Sequence, residues 1–190
     1  TVLAETDPAP AAPHPRLLVI GGSLGARTLN RVVPGALARL PVAERPTVLH
    51  EAGERSLETA RSGYREAAIE ADVRAFIDDM AGAYHAAAVV ICRAGALTVS
   101  ELAAVGRAAI LVPYPYAVDD HQSANARFLV EADAARMIAD DALSADGLAA
   151  VLRPLLTEPA TRVRMAANAR HVGRPRAAEQ VADICLEVSA

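Results

Sequence analysis

Short apolar runs alternate along this chain with longer stretches whose apolar residues recur at helical spacing. The runs Leu17–Ile20, Val48–His50, Val73–Phe76, Val89–Cys92, Ile110–Val112 and Arg136–Ile138 predict strands. Helices are predicted over Ala26–Leu40, Ser56–Glu70, Met80–Ala87, Thr98–Val105, His121–Glu131, Ala145–Leu156, Pro159–Ala169 and Arg176–Val188. The strands are apolar throughout rather than alternating, the pattern of a parallel sheet covered on both faces. Regular β-α alternation therefore predicts an α/β fold: a doubly wound, parallel, six-stranded Rossmann-like sheet. In such sheets ligands bind beyond the C-terminal ends of the strands. The last three helices have no strands between them, so they are expected to pack on an edge or to reach toward another domain.

Composition narrows the possibilities. The chain has 190 residues, enough for about one domain with a real core, and 53% of them are hydrophobic. Mean hydropathy is +0.21, which argues against disorder. A net charge of −4 disfavours nucleic acid as a partner. All 19 residues counted as Lys or Arg are Arg, which excludes a lysine Schiff base and a P-loop lysine. Cys92 and Cys185 lie far apart and form neither a metal motif nor a disulfide framework, so a reduced, cytoplasmic setting is expected. No apolar run approaches the length of a membrane span. The Pro/Ala-rich start predicts an interdomain linker over residues 1–15, with the folded domain over 16–190 as part of a larger protein.

Four segments carry candidate chemistry. Gly21-Gly22-Ser23-Leu24-Gly25 follows the first strand and opens a helix; its glycines allow close backbone approach to an anion, and Ser23 can donate to a phosphate. The spacing is close to the dinucleotide fingerprint without matching it, and no acidic residue is expected to close the second strand; His50 and Glu51 are the nearest polar groups. Phe76-Ile77-Asp78-Asp79-Met80 ends the third strand: the Ile77 backbone could bond a base, while Asp78 or Asp79 caps the next helix. Arg93-Ala94-Gly95-Ala96-Leu97-Thr98-Val99-Ser100-Glu101 joins a buried strand, a glycine turn and a helix N-terminus, where free N–H groups and the helix dipole meet an anion. Glu101 has two open roles, one reaching sugar hydroxyls and one closing a capping box with Thr98. In the fifth βα loop, Asp119 or Asp120 fits a cap, while His121, Gln122 and Asn125 suit sugar hydroxyls. The remaining histidines read as surface or packing residues.

These four motifs, in this order and spacing, resemble the C-terminal domain of the MurG family of bacterial UDP-GlcNAc transferases. The resemblance runs from about Arg16 to the C-terminus. It implies the C-terminal, donor-binding half of a GT-B fold, in which two Rossmann-like domains face a cleft. By motif, Ser23 and Gly22 would meet the donor diphosphate, and the Ile77 backbone the uracil. Ala96, Leu97 and Thr98, with Val99 and Ser100 beside them, would hold diphosphate and part of the GlcNAc. Glu101 would bind ribose, and Gln122 the GlcNAc hydroxyls, with His121 and Asn125 close by.

The reaction implied is inverting transfer of GlcNAc from UDP-GlcNAc to the C4 hydroxyl of the MurNAc unit of lipid I, giving lipid II for peptidoglycan. No metal and no cofactor is implied. The acceptor site, membrane-facing loops and catalytic base belong to the family's N-terminal domain. An arginine that the family carries just before this domain has no match in residues 1–15. No catalytic residue is therefore expected here, and the chain alone should hold donor without transferring sugar. Lipid I and the cytoplasmic membrane face would be reached only through the missing domain. Three alternatives stay open: a stand-alone donor-binding subunit of a two-subunit lipid-linked GlcNAc transferase, a UDP-GlcNAc 2-epimerase-like domain, and a non-catalytic nucleotide-binding module.

Overall fold

The structure, a computed structural model, describes residues 15–22, 26–117 and 120–188. The expected linker, apart from Pro15, lies outside the described residues, as does Ser23. Six strands form one sheet: β1 (Arg16–Ile20), β2 (Thr47–Glu51), β3 (Asp72–Arg74), β4 (Val89–Cys92), β5 (Ala108–Leu111) and β6 (Ala135–Met137). Eight α-helices accompany them among the described residues: α1 (Arg27–Ala38), α2 (Leu57–Glu66), α3 (Met80–Ala86), α4 (Ala96–Val105), α5 (His121–Glu131), α6 (Ala145–Thr157), α7 (Pro159–Val172) and α8 (Ala177–Val188). The strand order is β3-β2-β1-β4-β5-β6, and every pairing is parallel. The order reverses between β1 and β4, which makes their C-terminal ends the topological switch point.

Both faces of the sheet are buried, and alternate residues of each strand supply them. Leu17, Val19, Val89, Ile91 and Ile110 point toward α1, α2 and α6; Leu18, Ile20, Val90, Cys92 and Leu111 point toward α3, α4 and α5. A strand covered on both sides needs apolar residues at every position, and β1, β4 and β5 have them almost throughout. The edge strands differ. β3 is Asp-Val-Arg, and only Val73 is buried. β3 also ends at Arg74 rather than at Phe76, which is exposed. β2 runs one residue further than its apolar run suggests and ends on Glu51, so an acidic residue does close the second strand, against expectation. α6 packs on α1 and α7 on α4, while α8 exposes Val181, Ile184, Leu186 and Val188.

Arginine also finishes several helices. The last carbonyls of a helix have no partner inside it. Arg45 donates to Ala38 and Leu40 beyond α1, Arg107 to Tyr84 and His85 at the end of α3, and Arg162 to Leu155 and Leu156 near the end of α6.

Candidate functional site

All six strands point the same way, so the loops after β1, β3, β4 and β5 gather at one edge of the sheet. The β4–α4 turn lies at the switch point. Its sequence is Arg93-Ala94-Gly95, and Gly95 is the N-cap of α4 in extended backbone, with no side chain capping the helix. The first bond within the helix is Val99 N–H to Gly95 C=O, at 2.9 Å. The amides of Ala96, Leu97 and Thr98 therefore precede the helical ladder at its positive end, and no acidic residue occupies the first turn. Ala96, Leu97 and Ser100 are exposed. Val99 is not: its side chain is buried in the core with Leu102 and Ala103, and its N–H is taken by Gly95, so the place expected for it against a ligand is not open to it.

The capping box, one of the two roles open to Glu101, does not form with Thr98. The helix starts two residues before Thr98, so Glu101 stands in the second turn, too far along to reach the N-cap. Its Oε2 instead accepts a hydrogen bond from the buried phenol of Tyr84 on α3, at 2.9 Å. Burial, together with the nearby Cys92 and Glu101, drives the Tyr84 pKa upward, so the phenol stays a proton donor.

Two α5 side chains grip the same turn from the other side. Gln122 Oε1 accepts from the backbone N–H of Ala94 at 3.1 Å and of Tyr114 at 2.9 Å. Asn125 Nδ2 donates to the Ala94 carbonyl at 3.1 Å. The Gln122 oxygen is therefore committed to two backbone amides, one in each of the β4 and β5 turns. Asn125 is committed to the turn. His121 is exposed at the first position of α5. Asp120 is the N-cap of α5 but does not cap it with its side chain; its φ is +51° and its Oδ1 accepts from Ser123. Asp119 lies outside the described residues. On α3 the expected cap is present: Asp79 accepts from Gly82 N–H at 2.8 Å.

The β1 and β3 loops complete the edge. Gly22 has φ +74°, a conformation that glycine adopts without strain. Ile77 is buried with its side chain in the core, which leaves only its backbone at this edge. Glu51, expected only as a polar group near the end of the second strand, bonds the backbone of both loops. Burial pushes the Glu51 carboxyl up from its ordinary range, against backbone N–H groups of Gly22 and Ile77 that favour its charged form. Asp140 and Thr28 lie outside all four motifs, and Arg93, which opens one of them, had no partner expected for it. Arg93 donates to Asp140 Oδ1 and to the carbonyls of Val112 and Pro113, and lies over the Tyr114 ring. Thr28 donates to Asp140 Oδ2 at 3.0 Å.

Among the described residues no group of three or more His, Cys, Asp or Glu is placed to hold a metal ion, and no helix is long and apolar enough to cross a membrane.

Comparison with known proteins gives this arrangement its context. The sequence profile of the glycosyltransferase family 28 C-terminal domain matches residues 16–181. A protein of Alkalilimnicola ehrlichii named UDP-N-acetylglucosamine--N-acetylmuramyl-(pentapeptide) pyrophosphoryl-undecaprenol N-acetylglucosamine transferase is 58% identical over 172 residues, covering 90% of this chain and 48% of that protein. The protein of the same name from Chromohalobacter salexigens is 54% identical over 174 residues, covering 92% and 48%. The chain thus spans about half the length of the curated relatives it matches. Among solved structures, MurG of Acinetobacter baumannii superposes with a TM-score of 0.86 at 39% identity, covering 93% of this chain and 51% of that one. WaaG, a glycosyltransferase involved in lipopolysaccharide biosynthesis, shares the fold with a TM-score of 0.68 at 22% identity, covering 92% and 47%. The fold is that of the C-terminal half of a GT-B glycosyltransferase, and the chain belongs to the glycosyltransferase family 28 C-terminal domain family.

Proposed function

We propose that this chain is the donor-binding half of an inverting transferase that moves GlcNAc from UDP-GlcNAc onto lipid I to give lipid II. The observation that carries this reading is the uncapped N-terminus of α4 at the switch point, with Glu101 anchored one turn along the same helix. A diphosphate needs several directed donors and a favourable field, which the Ala96, Leu97 and Thr98 amides supply. In the transfer step the same groups stabilise the negative charge that develops on departing UDP. Glu101 accepts from the ribose hydroxyls, the Ile77 backbone bonds the uracil, and the outward amide of Gln122 donates to GlcNAc hydroxyls, with His121 at the rim. The Ser23 hydroxyl is part of this reading as a diphosphate donor, beside Gly22.

The catalytic base and the lipid I site belong, on this reading, to the N-terminal half, at the cytoplasmic face of the membrane. The exposed apolar residues of α8 suit packing against that half. Isothermal titration of the chain with UDP, UDP-GlcNAc and UDP-GalNAc tests the proposal. UDP and UDP-GlcNAc are expected to bind, with UDP-GalNAc weaker. A folded sample that fails to bind UDP at millimolar concentration overturns the reading.

A further inference from the structure

α1 and α2 pack side by side on one face of the sheet, and a groove of about 1320 Å³ runs between them. Four exposed arginines line it: Arg27 and Arg31 on α1, Arg55 in the short turn Glu54–Ser56 before α2, and Arg65 in the last turn of α2. None of these four guanidinium groups forms an ion pair or a hydrogen bond among the described residues. Two carboxylates also line the groove, and both are engaged. Glu58 pairs with Arg61 at 2.9 Å, and Glu66 accepts from the Ser62 hydroxyl at 2.9 Å. The groove is therefore a positive patch on a chain whose net charge is −4.

Its open end faces the ligand loops. β1 and β2 are parallel and end at the edge where those loops gather. Arg27 is the first residue of α1, and Arg55 follows the end of β2, so both stand at that edge, with Arg31 one turn along α1. The start of α1 has neither a side-chain cap nor an acidic residue in its first turn, so its positive end adds to the same field. Arg65 stands at the far end of α2, about 12 Å down the helix at 1.5 Å per residue.

An arginine without an internal partner acts mainly through its field. Between exposed charges that field reaches about 8 Å at 0.15 M salt and about 30 Å at 0.01 M. A cluster of one sign at the rim of a site speeds the association of an oppositely charged ligand and leaves its dissociation nearly unchanged. A diphosphate is doubly negative, and the net charge of this chain alone would repel it.

We infer that the α1–α2 groove is the approach surface for the donor: Arg27, Arg31 and Arg55 draw a nucleoside diphosphate to the ligand edge, from which it passes to the N-terminus of α4. This rests on the donor-binding reading given above. The arginines act before the ligand is seated, so their contribution lies in the association rate and disappears as salt screens it.

Phosphorus NMR line shapes of UDP give the dissociation rate on the 190-residue chain, isothermal titration gives Kd, and the two together give the association rate. The three guanidinium groups are exposed and unpaired, so the triple variant Arg27→Gln, Arg31→Gln, Arg55→Gln should keep the wild-type melting temperature. At about 0.01 M salt it is expected to associate with UDP about three- to tenfold more slowly, with its dissociation rate within about twofold of wild type. At about 0.5 M salt the two proteins should converge, and affinity for uncharged uridine should be the same in both throughout. Arg65→Gln should stay within about 1.5-fold of wild type at 0.15 M salt, because it stands further from the edge than the field reaches. An unchanged association rate in the triple variant at low salt overturns the inference. So does a loss that sits in the dissociation rate and persists at high salt, which would make these arginines ligands of the seated diphosphate. A wild-type chain that does not bind UDP at either salt removes the donor-binding reading itself, and this inference with it.

Discussion

The phenol of Tyr84 and the carboxylate of Glu101, seventeen residues apart in sequence, meet at 2.9 Å where α3 packs against α4. The bond occupies Oε2 and holds the carboxylate in one orientation; on the donor-binding reading, Oε1 meets a ribose hydroxyl. Removing the phenol costs that orientation without creating a large cavity. Tyr84→Phe is therefore expected to weaken UDP binding about three- to tenfold, the range expected when one hydrogen bond to a charged group is lost. It should weaken 2′-deoxy-UDP less, because the lost contact is to ribose. Titration with both nucleotides checks this, and a variant that loses both equally would separate Glu101 from ribose recognition.

Gln122 makes a second kind of prediction, about direction. Its oxygen is held by two backbone N–H groups, so on the donor-binding reading it is the amide hydrogens that meet the GlcNAc hydroxyls. Gln122→Glu keeps the inward acceptor and removes the outward donors. The UDP affinity of this variant should stay within about twofold of wild type, while the additional affinity contributed by the GlcNAc group disappears, about 1 kcal/mol. Comparing UDP with UDP-GlcNAc on the same sample gives the answer. Equal losses for the two would mean that Gln122 acts only as a clamp on the Ala94 turn.

The sequence made the central strands legible because burial on both faces forces an unbroken apolar run, as in Val89-Val90-Ile91-Cys92. Edge strands carry a weaker signal: one buried residue in β3 cannot fix its limits. The α4 start was misplaced for a related reason. Gly95-Ala96-Leu97 carries no polar cap, whereas Thr98-x-x-Glu101 matches a capping box, and local pattern alone cannot say which turn is first. The partner that Glu101 actually has, Tyr84, is brought to it only by helix packing. Asp140 shows the same limit more sharply, since the hydroxyl that bonds it, Thr28, lies 112 residues away.

His50 read as a packing residue and is one, but it is also a titratable group held neutral. Its Nδ1 lies 2.8 Å from the Tyr64 hydroxyl and its Nε2 lies 2.9 Å from Asn30 Oδ1, while Asn30 Nδ2 donates to the Ala52 carbonyl. That last bond turns the Asn30 oxygen toward the imidazole, so Nε2 carries the proton and Nδ1 accepts from Tyr64. Burial lowers the His50 pKa from 6.5 to about 3. The unfolded chain therefore takes up a proton near pH 6.5 that the folded protein refuses until about pH 3. Stability contributed by neutral His50 is present above pH 6.5 and lost as pH falls through that window, at about 1.4 kcal/mol per pH unit. Urea denaturation at pH 7.5 and pH 5.0 should differ by about 2 kcal/mol from this group. The difference should shrink in His50→Gln by that amount; an unchanged difference would assign the pH dependence to other groups.

Two glycines should respond in opposite directions to the same substitution. Gly173 ends α7 where that helix crosses α4, and a Cβ there would lie 2.7 Å from the Ala103 carbonyl oxygen and 2.9 Å from its carbon. Both atoms are backbone, so the clash cannot be relieved by a rotamer change, and α7 must shift off the helix whose N-terminus forms the candidate site. Gly173→Ala is expected to cost about 1–3 kcal/mol. Gly35 sits inside α1, and a Cβ there would meet Ala145 Cβ at 3.5 Å and Arg39 Nη1 at 3.6 Å, both ordinary contacts. Because glycine is a poor helix former, Gly35→Ala should stabilise the fold by about 0.5–1 kcal/mol. At roughly 2–4 °C per kcal/mol for a chain of this size, the two variants should melt on opposite sides of wild type, several degrees apart. A Gly173→Ala protein that melts with wild type would mean that α7 is not seated on the Ala103 carbonyl in solution.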